Sequence, residues 1–117
     1  MTFLSLRPFI PSGPDFDKSL KFFEEIGFTL QWNQHGYAGF ENGSCAFILQ
    51  QYDSREFAEN LMITVNVPNI EEFQQHINEK KLIEKYGTMI GEITRQPYGR
   101  ELNIIDPAGV CWHFVQS

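Results

Sequence analysis

The chain has 117 residues, of which 42% are apolar and 15% aromatic; that suffices for one hydrophobic core of modest size and not for several domains. Nine basic and fifteen acidic side chains leave a formal net charge of −6, which argues against nucleic-acid binding, where Lys and Arg neutralise phosphates, and suits a cationic ligand. No apolar run is long enough to span a bilayer and no basic start leads into a long apolar stretch, so the expectation is a cytoplasmic protein with no membrane partner.

In chain order, 3–10 reads as a first strand, with Pro8 pointing to an edge or a bulge. After the loop Pro11–Pro14 a helix starts near Asp15, with acidic residues in its first turn. Phe16, Leu20, Phe23 and Ile26 fall at helical spacing and form its core face, and Gly27 ends it. Three strands follow, at 28–32, 37–41 and 45–51, with Gly36 in the first turn and Asn42-Gly43 as a two-residue hairpin signal in the second. The pattern then recurs. A strand spans 61–67, Pro68-Asn69 leads into a helix with Ile70, Phe73 and Ile77 on one face, and strands follow at 88–94, 100–105 and 110–115. Asp106-Pro107-Ala108-Gly109 joins the last two as a type I turn, with proline fixing φ at its second position.

Each half therefore reads strand–helix–strand–strand–strand. The expected organisation is one domain over 1–117, with module one at about 1–53, a polar connector at about 54–59 and module two at about 60–117. The fold class is α+β: two βαβββ modules forming curved mixed sheets around a concave pocket. Cys45 and Cys111 lack CxxC spacing and sit in strand runs, so both are expected as small buried thiols.

Certain residues carry a family likeness. Gln96-Pro97-Tyr98-Gly99-Arg100-Glu101, then Asp106 to Gly109, then His113-Phe114-Val115 resemble the C-terminal wording of the bleomycin resistance proteins, and Gly27-Phe28 and Tyr37-Ala38-Gly39 fit as well. That family lies within the vicinal oxygen chelate superfamily, with the glyoxalases and extradiol dioxygenases, whose hallmark is the paired βαβββ module.

Metal-dependent members of the superfamily place His, Gln or Glu ligands on equivalent strands. The matching positions here are Arg7 or Pro8, Gln50 or Gln51, Leu61 or Met62, and His113. A metal centre needs three or four convergent donors, and only His113 and Gln50 offer themselves, so no metal and no other cofactor is expected. The resemblance implies a homodimer that sequesters a flat, cationic, bleomycin-like small molecule in crevices at the dimer interface, stacking it on aromatic rings. Trp32, Tyr37 and Tyr98 keep an aromatic side chain at the implied positions. The implied ligand-binding set is Trp32, Tyr37, Gln50, Tyr98, Gly99 and His113, with no catalytic residue. Strand aromatics equally often serve packing, so core or interface contact stands level with ligand contact for each ring.

Strand alternation puts Trp112 and His113 on opposite faces, so a cavity-facing His113 makes Trp112 core. Cys111 shares the His113 face, but nothing in the sequence orients the imidazole for catalysis. Arg100 and Glu101 are expected in cross-strand ion pairs. Two alternatives stay open: an enzyme of the glyoxalase and dioxygenase superfamily, and a metal-free binder of an unrelated metabolite or an isomerase-like enzyme using His113.

Overall fold

The computed structural model describes residues 1–117. The first half runs β1 (Phe9–Pro11), α1 (Phe16–Ile26), β2 (Thr29–Gln34), β3 (Tyr37–Asn42) and β4 (Cys45–Gln50). A short helix, α2 (Arg55–Asn60), leads to the second half: β5 (Met62–Asn66), α3 (Ile70–Glu79), α4 (Leu82–Tyr86), β6 (Met89–Ile90), β7 (Thr94–Gln96), β8 (Gly99–Ile105) and β9 (Cys111–Gln116). The strands form two mixed sheets. The first has the order β1-β4-β3-β2; the second has β5-β9-β8-β6, with β7 also paired to β8. Each half repeats one rule: its first strand lies parallel to its last, β1 on β4 and β5 on β9, and the other pairs are antiparallel. This is the α+β arrangement of paired βαβββ modules read from the sequence.

Local chemistry explains the elements. The Asp15 carboxylate caps α1 by accepting from Lys18 N at 3.0 Å, and Asn69 caps α3 by accepting from Glu72 N at 3.0 Å. Leu20, Phe23 and Ile26 are buried as expected of the α1 core face, while Phe16 is half-buried against the same cluster. Phe23 sits at the centre of an aromatic core, with ring centroids 4.9 Å from Phe47 and 5.3 Å from Trp112. Because Phe47 belongs to β4 and Trp112 to β9, that core is shared by both sheets. Asp106 organises the last turn: one carboxylate oxygen accepts from the N–H groups of Ala108, Gly109 and Val110, and the other accepts from Trp112 Nε1 at 2.9 Å.

Several expectations are corrected. The first strand is only 9–11: Pro8 contributes just its carbonyl, which accepts from Ile48 N at 2.9 Å, and residues 1–7 have no ladder partner within the chain. The second hairpin loop is Gly43-Ser44, since Asn42 and Cys45 are paired; Asn42 is freed to donate from Nδ2 to Gly27 O. The connector is helical, capped by Ser54 Oγ accepting from Phe57 N. Residues 88–94, expected as one strand, make two short ones, interrupted at 91–93 where Ile93 turns to pack on the core. Cys45 is exposed and Cys111 half-buried, so neither is the buried thiol expected. No helix is long and apolar enough to cross a membrane.

Candidate functional site

One face of each sheet packs on the helices; the opposite face is exposed at Trp32 and Tyr37 on the first sheet and partly covered on the second, where Glu101 and Val115 are buried. On the first sheet, Ile10, Ala38, Phe40, Phe47 and Leu49 fill the core, and strand alternation sends their neighbours to the opposite face. There Phe9, Trp32, Gln34, Tyr37 and Ile48, with His35 from the turn, line a groove of about 390 Å³. Trp32 is 44% and Tyr37 37% exposed, a large apolar surface to leave facing water. Tyr37 is held edge-on by Phe9, with ring centroids 6.0 Å apart. Gln50 pairs with Tyr37 across the β3–β4 ladder and shares its face. The Trp32 indole lies directly against Gly39: a Cβ there would come within 2.2 Å of Trp32 Nε1. The missing side chain at Gly39 is what lets the ring lie against the sheet.

On the second sheet, Leu102, Ile104, Trp112 and Phe114 face the core. Glu101, Asn103 and His113 alternate to the other face, where Asn103 and His113 are direct register partners. Glu101 is the hub. Tyr98 Oη donates to Glu101 Oε1 at 2.5 Å, and His113 Nδ1 donates to Glu101 Oε2 at 3.2 Å. Burial opposes ionisation of Glu101, but the bonds from Tyr98, His113 and Asn103 outweigh it and hold the carboxyl below the usual carboxylate range. The same contact raises the pKa of the Tyr98 phenol. Burial, then the charges of Glu101 and Asp106, push the Cys111 thiol up, which disfavours a thiolate nucleophile beside His113.

Tyr98 and Gly99 also line a groove of about 420 Å³ with Arg95, Arg100 and the C-terminal residues Gln116 and Ser117. Gly99 is forced by geometry: its φ is +140°, and a Cβ would stand 2.3 Å from Gln116 O. Arg100 does not form the cross-strand pair expected of it. It points away from Glu101, pairs with Glu71 on α3, and donates to Gln116 Oε1 at 3.2 Å.

Of the residues singled out from sequence, the structure thus groups Trp32, Tyr37 and Gln50 on one sheet, and Tyr98, Gly99 and His113 on the other. Trp32 and Tyr37 line the first groove and Tyr98 and Gly99 the second, with no lining residue in common; Gln50 and His113 line neither. The sequence points to Glu101 or Arg100 as a group that could orient a polar ligand, but not to Asn103 or to the link between Glu101 and His113; the available signal is the alternation of Glu101 and Asn103 with Leu102 and Ile104, in register with His113. The donor set does not fit a metal centre. No three His, Cys, Asp or Glu side chains converge, and the Nδ1 of His113 is already committed to Glu101.

No protein-family model matches the sequence, and no curated protein matches it. Solved structures do match in shape. A bleomycin-binding protein from bleomycin-producing Streptomyces verticillus, complexed with copper(II)-bleomycin, superposes with a TM-score of 0.83 at 21% identity, over 100% of this chain and 98% of that one. A bleomycin resistance determinant encoded on the transposon Tn5 gives 0.82 at 20% identity, over 98% of both chains. An antibiotic binding protein from Streptomyces sp. CB03234 gives 0.77 at 18% identity, over 99% of this chain and 98% of that one. With its two parallel-closed mixed sheets and its open aromatic face, the chain has the fold of the glyoxalase and bleomycin resistance proteins.

Proposed function

We propose that this protein is a metal-free cytoplasmic binding protein. It sequesters a planar, cationic, bleomycin-like small molecule in a crevice completed by a second copy of the chain. The ligand set is Trp32, Tyr37, Gln50, Tyr98, Gly99 and His113.

The observation that carries the reading is the Trp32–Tyr37 surface, an aromatic platform seated on Gly39 and facing open space rather than the core. Each ring-on-ring contact with a flat ligand is worth about 0.5–1.5 kcal/mol beyond area burial, and the net charge of −6 favours a positive partner. The division of the set between two sheets supports the homodimer, because a second copy would place one protomer's platform opposite the other's Tyr98 and His113. Phe3, Leu4 and Leu6 are at least 86% exposed on the N-terminal arm and supply apolar surface for that contact. Two free cysteines suit a reducing compartment.

The test is a titration with metal-free bleomycin followed by tryptophan fluorescence. Trp112 is buried, so Trp112→Phe leaves Trp32 as the reporter. Saturable quenching at micromolar drug is expected, weakened about tenfold or more by Tyr98→Ala. Absence of quenching would sink the reading. Light scattering of the intact protein is expected to show a dimer that Leu4→Glu with Leu6→Glu converts to monomer.

A further inference from the structure

The face of the second sheet turned away from the core holds more polar chemistry than the fold requires. Glu101 is a carboxylate only 5% exposed, and its hydrogen-bond partners are Tyr98 and His113, with no Lys or Arg. The neighbouring cation, Arg100, is spent on Glu71. A buried negative charge answered by a hydroxyl and a ring N–H, with no permanent cation among its partners, is incompletely compensated. Glu101 can only accept, so in the neutral ring the imidazole proton sits on Nδ1, and Nε2 presents a bare lone pair. That Nε2 atom is shielded from solvent and has no hydrogen-bond partner; the same is true of Asn103 Oδ1. Asn103 and His113 stand directly opposite each other on β8 and β9, so the two unanswered acceptors belong to neighbouring side chains on the face that carries the Glu101 carboxylate. Buried acceptors are nearly always answered in folded proteins. What answers both must donate, and the adjoining charge asks that it be positive.

We propose that Asn103 Oδ1, His113 Nε2 and the Glu101 carboxylate form a subsite for a cationic, N–H-donating group of the ligand, of the amidinium or ammonium class. The inference rests on this face being the ligand crevice. Tyr98, 56% exposed with its hydroxyl on Glu101, is the cover that such a group displaces on entry, and its ring remains available to lie against the ligand. A neutral amide would supply the donors without the charge, and a carboxylate would supply neither.

Three near-isosteric probes separate these demands: benzamidinium, benzamide and benzoate, titrated into the full-length 15N-labelled protein while the His113 imidazole nitrogens, assigned by loss in His113→Gln, are followed by NMR. The ligand-free protein is expected to show the Nδ1–H tautomer. Benzamidinium is expected to move the Nε2 resonance saturably, benzamide to need at least tenfold more, and benzoate to leave it unmoved. A proton already on Nε2, equal response to benzamide, or any response to benzoate overturns the proposal. Asn103→Leu removes one orphan acceptor, so it is expected to raise Tm while weakening benzamidinium about tenfold or more. A lower Tm with unchanged affinity means a buried water serves the pair, and overturns it too. Should that variant not fold, the wild-type titration alone decides. Bleomycin that quenches Trp32 without disturbing His113 defeats this inference and leaves the drug-binding reading standing. Benzamidinium binding at His113 without bleomycin quenching does the reverse.

Discussion

At the scale of single residues, the chain separates charges that look paired in the sequence. Arg100 and Glu101 are neighbours, yet strand alternation sends the guanidinium to α3 and the carboxylate to Tyr98 and His113. The sequence reading found Tyr98 and His113 but not the group that joins them, because the His113–Glu101 contact depends on strand register across 12 positions, and nothing local records it. It also found no group to orient His113, and Glu101 supplies one. Gly39 makes a sharper test of the platform than truncating the ring. Gly39→Ala puts a methyl into the Trp32 indole, and the exposed ring can swing outward. The variant is therefore expected to lose less than about 1 kcal/mol of stability, while shifting Trp32 emission and weakening ligand stacking. If emission stays put and unfolding changes by several kcal/mol, the strand rather than the ring has moved.

Elements were legible where local chemistry is strong. Asp15 and Asn69 cap the two long helices as their positions suggest, and the Asp106 turn closes as read. Two short helices were not legible. α2 buries only Ala58, and α4 buries only Leu82, so neither displays a repeating apolar face. The divided strand at 89–96 escaped for another reason: β8 accepts both pieces on one flank, and a β-rich segment carries no mark of where it will break. The β7–β8 turn shows what an element end can demand. Gly99→Ala combines a φ of +140° with a contact at 2.3 Å to backbone, and neither can be relieved by a side-chain rotation. A loss of at least about 2 kcal/mol in denaturant unfolding is expected, together with displacement of Tyr98. A variant as stable as the parent would mean that the turn rearranges freely.

Across the whole molecule, the halves are tied at two levels: through the Phe23, Phe47 and Trp112 rings inside, and through Glu25 at the surface of α1, which meets Lys85 and Tyr86 of α4. His76 Nε2 adds a third tie by donating to the last carbonyls of α1, Glu25 O and Ile26 O, at 3.1 Å each. Burial works against the Glu25 carboxylate, but Lys85 and Tyr86 outweigh it, so its pKa falls below 4.5, as does that of Glu101. A depressed acid contributes stability that is present above its unfolded value and lost as pH falls through the folded one. Tm is therefore expected to hold down to about pH 4.5 and decline below it, less steeply in Glu25→Gln; an unchanged decline in that variant would remove Glu25 from the account. The ladders have one more consequence, for self-assembly. An open strand flank invites further chains to add without limit. Here β1 is three residues long beside Pro8, β2 is bulged between Leu30 and Trp32, and the far flank of the second sheet is the broken β6/β7 pair. Only β5 offers an uninterrupted flank, with β9 as its sole ladder partner. With one such flank, ladder pairing between copies could occur once and then has nothing left to extend, so the strands give no route to a fibre.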